Sequence, residues 1–193
     1  MKKFLVFCML FFVANLFAQQ PLLHYKTNAH QIFRLRPGTE KTFHYVKMDK
    51  ADMVQNTLFM VNDTTKKLMI PQDGFYEISA MFHFNPNTSN IKYNRGGINF
   101  GIVQVSEGNE QYIAATRKSF DKENQSEYST IIVQPTIVYL QKDVVVAPAI
   151  SAGLLANVLL AAEIGCEKKN KNCTSFEWTI KRISNEKAFQ KYF

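Results

Sequence analysis

The chain has 193 residues, 46% of them hydrophobic and 20% charged, with a formal net charge of +7. That length corresponds to about one domain with enough chain to bury a core, and neither an internal repeat nor a low-complexity linker marks off a second one. The charges are spread along the chain, with one local cluster at Lys168-Lys169-Asn170-Lys171 that reads as a solvated loop. A diffuse positive excess does not select between a nucleic acid, a membrane surface and an acidic glycan.

Residues 1–18 read as a cleavable export signal. Lys2 and Lys3 precede an apolar run over residues 4–12, and Leu16-Phe17-Ala18 sets a small residue before Gln19. The apolar run is short of the ~20 residues of a spanning helix; an uncleaved anchor is the alternative. Cleavage is expected after Ala18, with Cys8 lost as an apolar residue of the signal. Residues 19–40 carry Pro21, Pro37 and Gly38 without clean periodicity, and read as a lead-in segment to the domain.

From residue 41 the pattern is that of strands. Residues 42–48 are rich in aromatic and β-branched side chains, residues 57–61 follow, and a turn cluster at 62–65 separates them from 67–70. After a turn at Pro71-Gln72-Asp73-Gly74 comes the clearest strand, 75–84. Tyr76, Ile78, Ala80, Phe82 and Phe84 fall on one face of it, Glu77, Ser79 and His83 on the other. Residues 98–105 and 111–116 form a predicted pair joined by 106–110, and 119–125 a charged loop. A long strand is predicted over 129–140, where Pro135 implies an edge position, a bulge or a bend. The run at 144–147 is the next, and 174–183 alternates again, with Phe176, Trp178 and Ile180 facing one way. Eight to ten short strands separated by turn signals predict an all-β fold, a two-sheet sandwich or a barrel, followed by a polar tail over 184–193.

Residues 144–162 carry no charged side chain between Asp143 and Glu163. Length alone allows a membrane helix, but Pro148, Ser151, Gly153 and Asn157 interrupt the run. A buried strand pair with a tight turn near residues 151–153 is expected instead, in the core or at a subunit contact. Beyond it lie Cys166 and Cys173, close together in a hydrophilic stretch. In an exported chain they are expected to form a disulfide; a metal site would need further ligands, and no histidine lies near either.

At residues 68–80 the chain resembles the C1q/TNF-like jelly-roll family, in which a short strand ends in Ile/Val-Pro, Gly-x-Tyr follows, and a long core strand begins; Pro71, Gly74 and Tyr76 stand at those places. Residues 136–145 are similar to the family's strand, turn with Asp143, and next strand, and 174–183, with Phe176, to its closing strand. The chain departs from the pattern in lacking a glycine before Asp143 and in carrying Trp178 where a glycine is usual. The resemblance covers most of residues 41–183 and implies a ten-stranded jelly roll, commonly a trimer, that works by recognition.

No catalytic motif, phosphate loop or dinucleotide fingerprint occurs. His24, His30, His44 and His83 have no metal-ligand spacing and read as structural. Asp63, Asp73, Glu107 and Asp121 are isolated loop carboxylates, turn formers before they are calcium ligands. The aromatic stripe that includes Phe43, Tyr45, Phe59 and Phe100 reads as core. Neither a catalytic, a cofactor-binding nor a metal site is expected. The expectation is an exported, bacterial-type binding or adhesion module with its sandwich over 41–183. A homotrimer is expected through apolar strand faces that include 150–160, with an extracellular protein or glycan as ligand and neither nucleic acid nor membrane as partner. A secreted hydrolase on the same scaffold and a membrane-active protein are the alternatives.

Overall fold

A computed structural model describes residues 21–62, 67–86, 96–106, 109–120, 127–156, 158–167 and 172–184. Thirteen strands are found among them: β1 (Leu22–Thr27), β2 (Gln31–Leu35), β3 (Phe43–Tyr45), β4 (Met53–Thr57), β5 (Met60–Val61), β6 (Leu68–Met69), β7 (Gly74–Asn85), β8 (Gly96–Val105), β9 (Gln111–Phe120), β10 (Ser129–Leu140), β11 (Val145–Leu155), β12 (Leu159–Ile164) and β13 (Phe176–Ile183). They form two antiparallel sheets, an all-β sandwich. In the first sheet β7 is flanked by β10 on one side and by β13 on the other; β1 and β4 follow β13. Where β13 stops, β12 takes over beside Phe84 and Asn85 of β7 and carries β2. In the second sheet the order is β5-β6-β11-β8-β9, with β3 also on β11.

The pairings nest. β8 pairs β9, β7 pairs β10, β6 and β3 pair β11, β2 pairs β12, and β1 pairs β13. These pairs therefore read as one long antiparallel ribbon, closed at the β8–β9 hairpin; its inner segments alternate between the sheets, and its two outermost, β2–β12 and β1–β13, both lie in the first. The expected hairpin is the tip of that ribbon.

Alternation builds the core. Tyr76, Ile78, Phe82 and Phe84 of β7 are buried at 0–1% exposure, as the period-2 stripe predicts. Phe82 stacks at 4.9 Å on Phe176 and at 5.4 Å on Phe100, and Phe84 meets Phe100 at 4.9 Å. Trp178, in place of a glycine, is fully buried on the same inner face. Pro135 lies where the β10–β7 register shifts between Val133 and Thr136, on a strand whose only ladder among the described residues is with β7, so the proline marks both an edge and a bulge.

Three expectations are corrected. The lead-in 19–40 contains β1 and β2, and Leu23, Tyr25 and Leu35 are core residues; their partners β13 and β12 lie at the far end of the chain, so local periodicity carries little of the signal. The turn expected at 151–153 is absent. β11 runs through it to Leu155 with a register shift between Ala152 and Leu155, and β12 begins at Leu159 in the other sheet. Finally, the stretch 150–160 is not available as a whole for a subunit contact. Ile150, Ala152, Leu155 and Leu159 belong to the chain's own core, leaving Leu154 at 73% exposure. No helix among the described residues is long and apolar enough to cross a membrane; the uncharged run is β11 and β12.

The outward side of the second sheet explains the small residues there. Ala149 pairs with Gly101 and Ser151 with Asn99, and Ala149 and Ser151 are fully buried although they face away from the core. Tyr112 lies across them, its hydroxyl 3.1 Å from Ser151 Oγ and donating to Asn99 O at 3.3 Å, and Phe43 meets its ring edge-on at 4.9 Å. Phe43 and Tyr45 thus belong to an outer aromatic layer rather than to the core expected for them. Their strand neighbour His44 points inward to Phe33, and burial lowers its pKa.

Candidate functional site

The residues singled out in the sequence, Pro71, Gly74, Tyr76, Asp143 and Phe176, divide between the two ends of the sandwich. At one end the β6–β7 crossing is tied to the β10–β11 turn. Ile70, just before Pro71, accepts from Asp143 N (2.8 Å) and donates to Val144 O (2.9 Å), while Asp73 Oδ1 accepts from Lys142 N (2.6 Å). Asp143 itself adopts φ +65°, a left-handed conformation that aspartate tolerates. Gly74 has φ +152°, and a Cβ there would meet Arg182 Nε at 2.6 Å, the same nitrogen that donates to Asp73 O. The Tyr76 hydroxyl donates to Gln72 O at 2.7 Å. Pro71, Gly74, Tyr76 and Asp143 are thus brought together as a structural corner. Phe176 is at the opposite end, against Phe82.

That opposite end carries the concave surface. The main chain of His83 bridges the cysteine loop, its N–H donating to Ser175 O (2.8 Å) and its C=O accepting from Gly165 N (3.0 Å). Ser175 in turn donates from its side chain to Thr27 O and Ala29 O. Between these anchors Cys166 and Cys173 form the expected disulfide, with Cα atoms 5.8 Å apart. The Ser175 side of the disulfide is thereby tied to the connection between β1 and β2.

Beside it lies a cleft of about 600 Å³ lined by Asn28, His30, Tyr128, Glu163 and Cys166, within the size range of small-molecule sites. Glu163 Oε2 accepts from the Tyr128 hydroxyl at 2.7 Å and lies 3.2 Å from His30 Nε2. Burial, followed by the hydrogen bond and the negative charge of Glu163, raises the Tyr128 pKa above the ordinary tyrosine range. The His83 ring stacks flat on Tyr128, with centroids 5.1 Å apart and planes 7° from parallel.

Two further hollows adjoin the first. One of about 190 Å³ shares Tyr128 and includes Lys118, Glu127 and Phe120. The other, of about 310 Å³, shares Asn28 and includes Lys26, Asp52 and Cys173. Asp52 accepts from Thr27 Oγ1 (2.7 Å) and from the Tyr25 hydroxyl (3.2 Å). Burial raises the Tyr25 pKa, and the Asp52 charge adds to the effect.

The four histidines are separately engaged: His24 with Glu177 at 2.8 Å, His30 with Glu163, His44 inward, and His83 on Tyr128. Among the described residues no group of three or more His, Cys, Asp or Glu is placed to hold a metal ion. Of the four carboxylates weighed for calcium, Asp73 is a turn acceptor; Asp63, Glu107 and Asp121 lie outside the described residues, as do residues 1–18, where an export signal is expected, and the tail beyond Ser184. Sequence reasoning missed Asn28, Tyr128 and Glu163. They come from three distant segments without a shared spacing, and the nearby cysteine pair was the one local sign of a built surface. Compared with known proteins, the chain matches no family model and no curated protein.

Proposed function

We propose that the protein is an exported recognition module of the C1q/TNF-like jelly-roll type, assembling as a homotrimer and taking its ligand at the disulfide end. The observation that carries this reading is the nested ribbon, closed at β8–β9 and opened at β1–β13, because two sheets built by rolling up one ribbon are what the jelly-roll form means. The corner formed by Pro71, Gly74, Tyr76 and Asp143 supports the family resemblance. Self-association is supported by the outward face of the edge strand β10, where Ile132 and Tyr139 are 52% and 56% exposed beside half-buried Met81 and Phe75. Recognition rather than hydrolysis is supported by Glu163, whose Oε2 is already engaged by Tyr128 and His30.

Light scattering on the purified protein tests the assembly. A mass of three protomers is expected at micromolar concentration, falling to one protomer in Ile132→Glu/Tyr139→Glu. A wild-type monomer refutes the trimer.

A further inference from the structure

The three hollows at the disulfide end form one row: the first and second share Tyr128, and the second and third share Asn28. Among the described residues each is lined by one acid and one base: Glu127 and Lys118, Glu163 and His30, and Asp52 and Lys26. We propose that this row is a binding groove for a neutral, linear oligosaccharide, one stretch of sugar per hollow. The inference rests on the recognition reading and names its ligand class.

The chemistry of the row favours this occupant. A polyanion is drawn to a cluster of bases, whereas the described lining of each hollow carries one carboxylate for its one base. The first hollow has apolar walls in Phe84, Pro86 and Phe120, and the central one is lined by an amide, an imidazole, a phenol and a carboxylate beside Cys166. Such planar donors and acceptors suit ligand hydroxyls, which both give and take hydrogen bonds. The shared residues sit at the junctions, where a linear ligand must cross from one hollow to the next. Tyr128 is held there by the stacked His83 ring and by Glu163. The disulfide fixes the outer wall, with Cys166 in the central hollow and Cys173 in the third.

The test is saturation-transfer NMR and calorimetry on the purified protein. The neutral probes are the hexasaccharides of cellulose, starch, xylan, mannan, laminarin and chitin; a heparin hexasaccharide and tryptic casein peptides are the competitors. At least one neutral hexasaccharide is expected to bind, roughly tenfold more tightly than its disaccharide because linked units occupy adjoining hollows. Its affinity should change less than about twofold between 0.05 and 0.5 M salt, since screening acts on charged ligands. Tyr128→Ala and Asn28→Ala should each weaken it roughly tenfold, as losses of central contacts do. Tyr128→Phe retains the ring should the alanine variant fail to fold, and is expected to lose less. Binding of none of the six, binding confined to heparin or to the peptides, or an affinity unchanged in both alanine variants overturns the proposal. Light scattering on the same samples separates the two readings: a trimer that binds no sugar sinks only this one, and a monomer that binds sugar sinks only the trimer.

Discussion

Raising the pH from 9 to 11 should destabilise the fold through its buried phenols. Burial pushes Tyr76 and Tyr112 up from 10.0 to about 12, against the opposing effects of Arg182 beside Tyr76 and of the Ser151 hydrogen bond to Tyr112. A phenol that stays neutral in the folded chain but ionises near 10 once exposed gives stability that is complete below pH 10 and is lost as the pH climbs towards 12. At pH 11 each costs about 1.4 kcal/mol, and the pair about 2.7 kcal/mol. Tyr25, Tyr45 and Tyr128 are raised too and act in the same direction. With a urea m-value of ~2 kcal/mol/M, the midpoint should fall by roughly 1.4 M between pH 9 and 11. The sole tryptophan, Trp178, is fully buried and reports the transition by fluorescence. Tyr76→Phe and Tyr112→Phe should each remove about half of the pair's pH dependence. A midpoint unchanged between pH 9 and 11 would refute the placement of these rings.

Two further outcomes are expected. Replacing both cysteines of the 166–173 pair with serine opens a loop of sequence separation 7 and should lower the unfolding free energy by about 2.4 kcal/mol on the chain-entropy model, read by urea denaturation. Gly101→Ala would set a Cβ 2.2 Å from Ala114 O and 2.9 Å from the Tyr112 ring. It should cost about 3 kcal/mol, a Tm loss of ~9 °C for a chain of this size, in a calorimetric scan.

What the sequence disclosed follows the range over which its signals act. β7 was legible because five inward side chains alternate without interruption, and β10 because Pro135 marks its own bulge. The disulfide was legible because its partners lie seven residues apart. β1 and β2 were not. Their inward residues, Leu23, Tyr25, Phe33 and Leu35, are few and set among charged neighbours, and their register comes from strands at the other end of the chain. Ser151 and Gly153 were misread as turn formers because smallness has two causes. Here it is close approach: a Cβ on Gly153 would lie 2.7 Å from Gly97 O. The groove was the least legible, since Asn28, Tyr128 and Glu163 become neighbours only when the ribbon has closed.

The position of β13 has a consequence for the newly made chain. It is the last strand among the described residues, yet it lies between β1 and β7. Until it emerges, the N-terminal strand has no neighbour linking it to the rest of its sheet, and Leu23 and Tyr25 lack the wall formed by Trp178 and Ile180. Inner pairs such as β8–β9 span short loops and cost little entropy to close, whereas the outermost spans nearly the whole chain. A ribosome that stalls before residue 176 therefore leaves a sandwich split along its middle, with two raw strand edges facing each other across the gap.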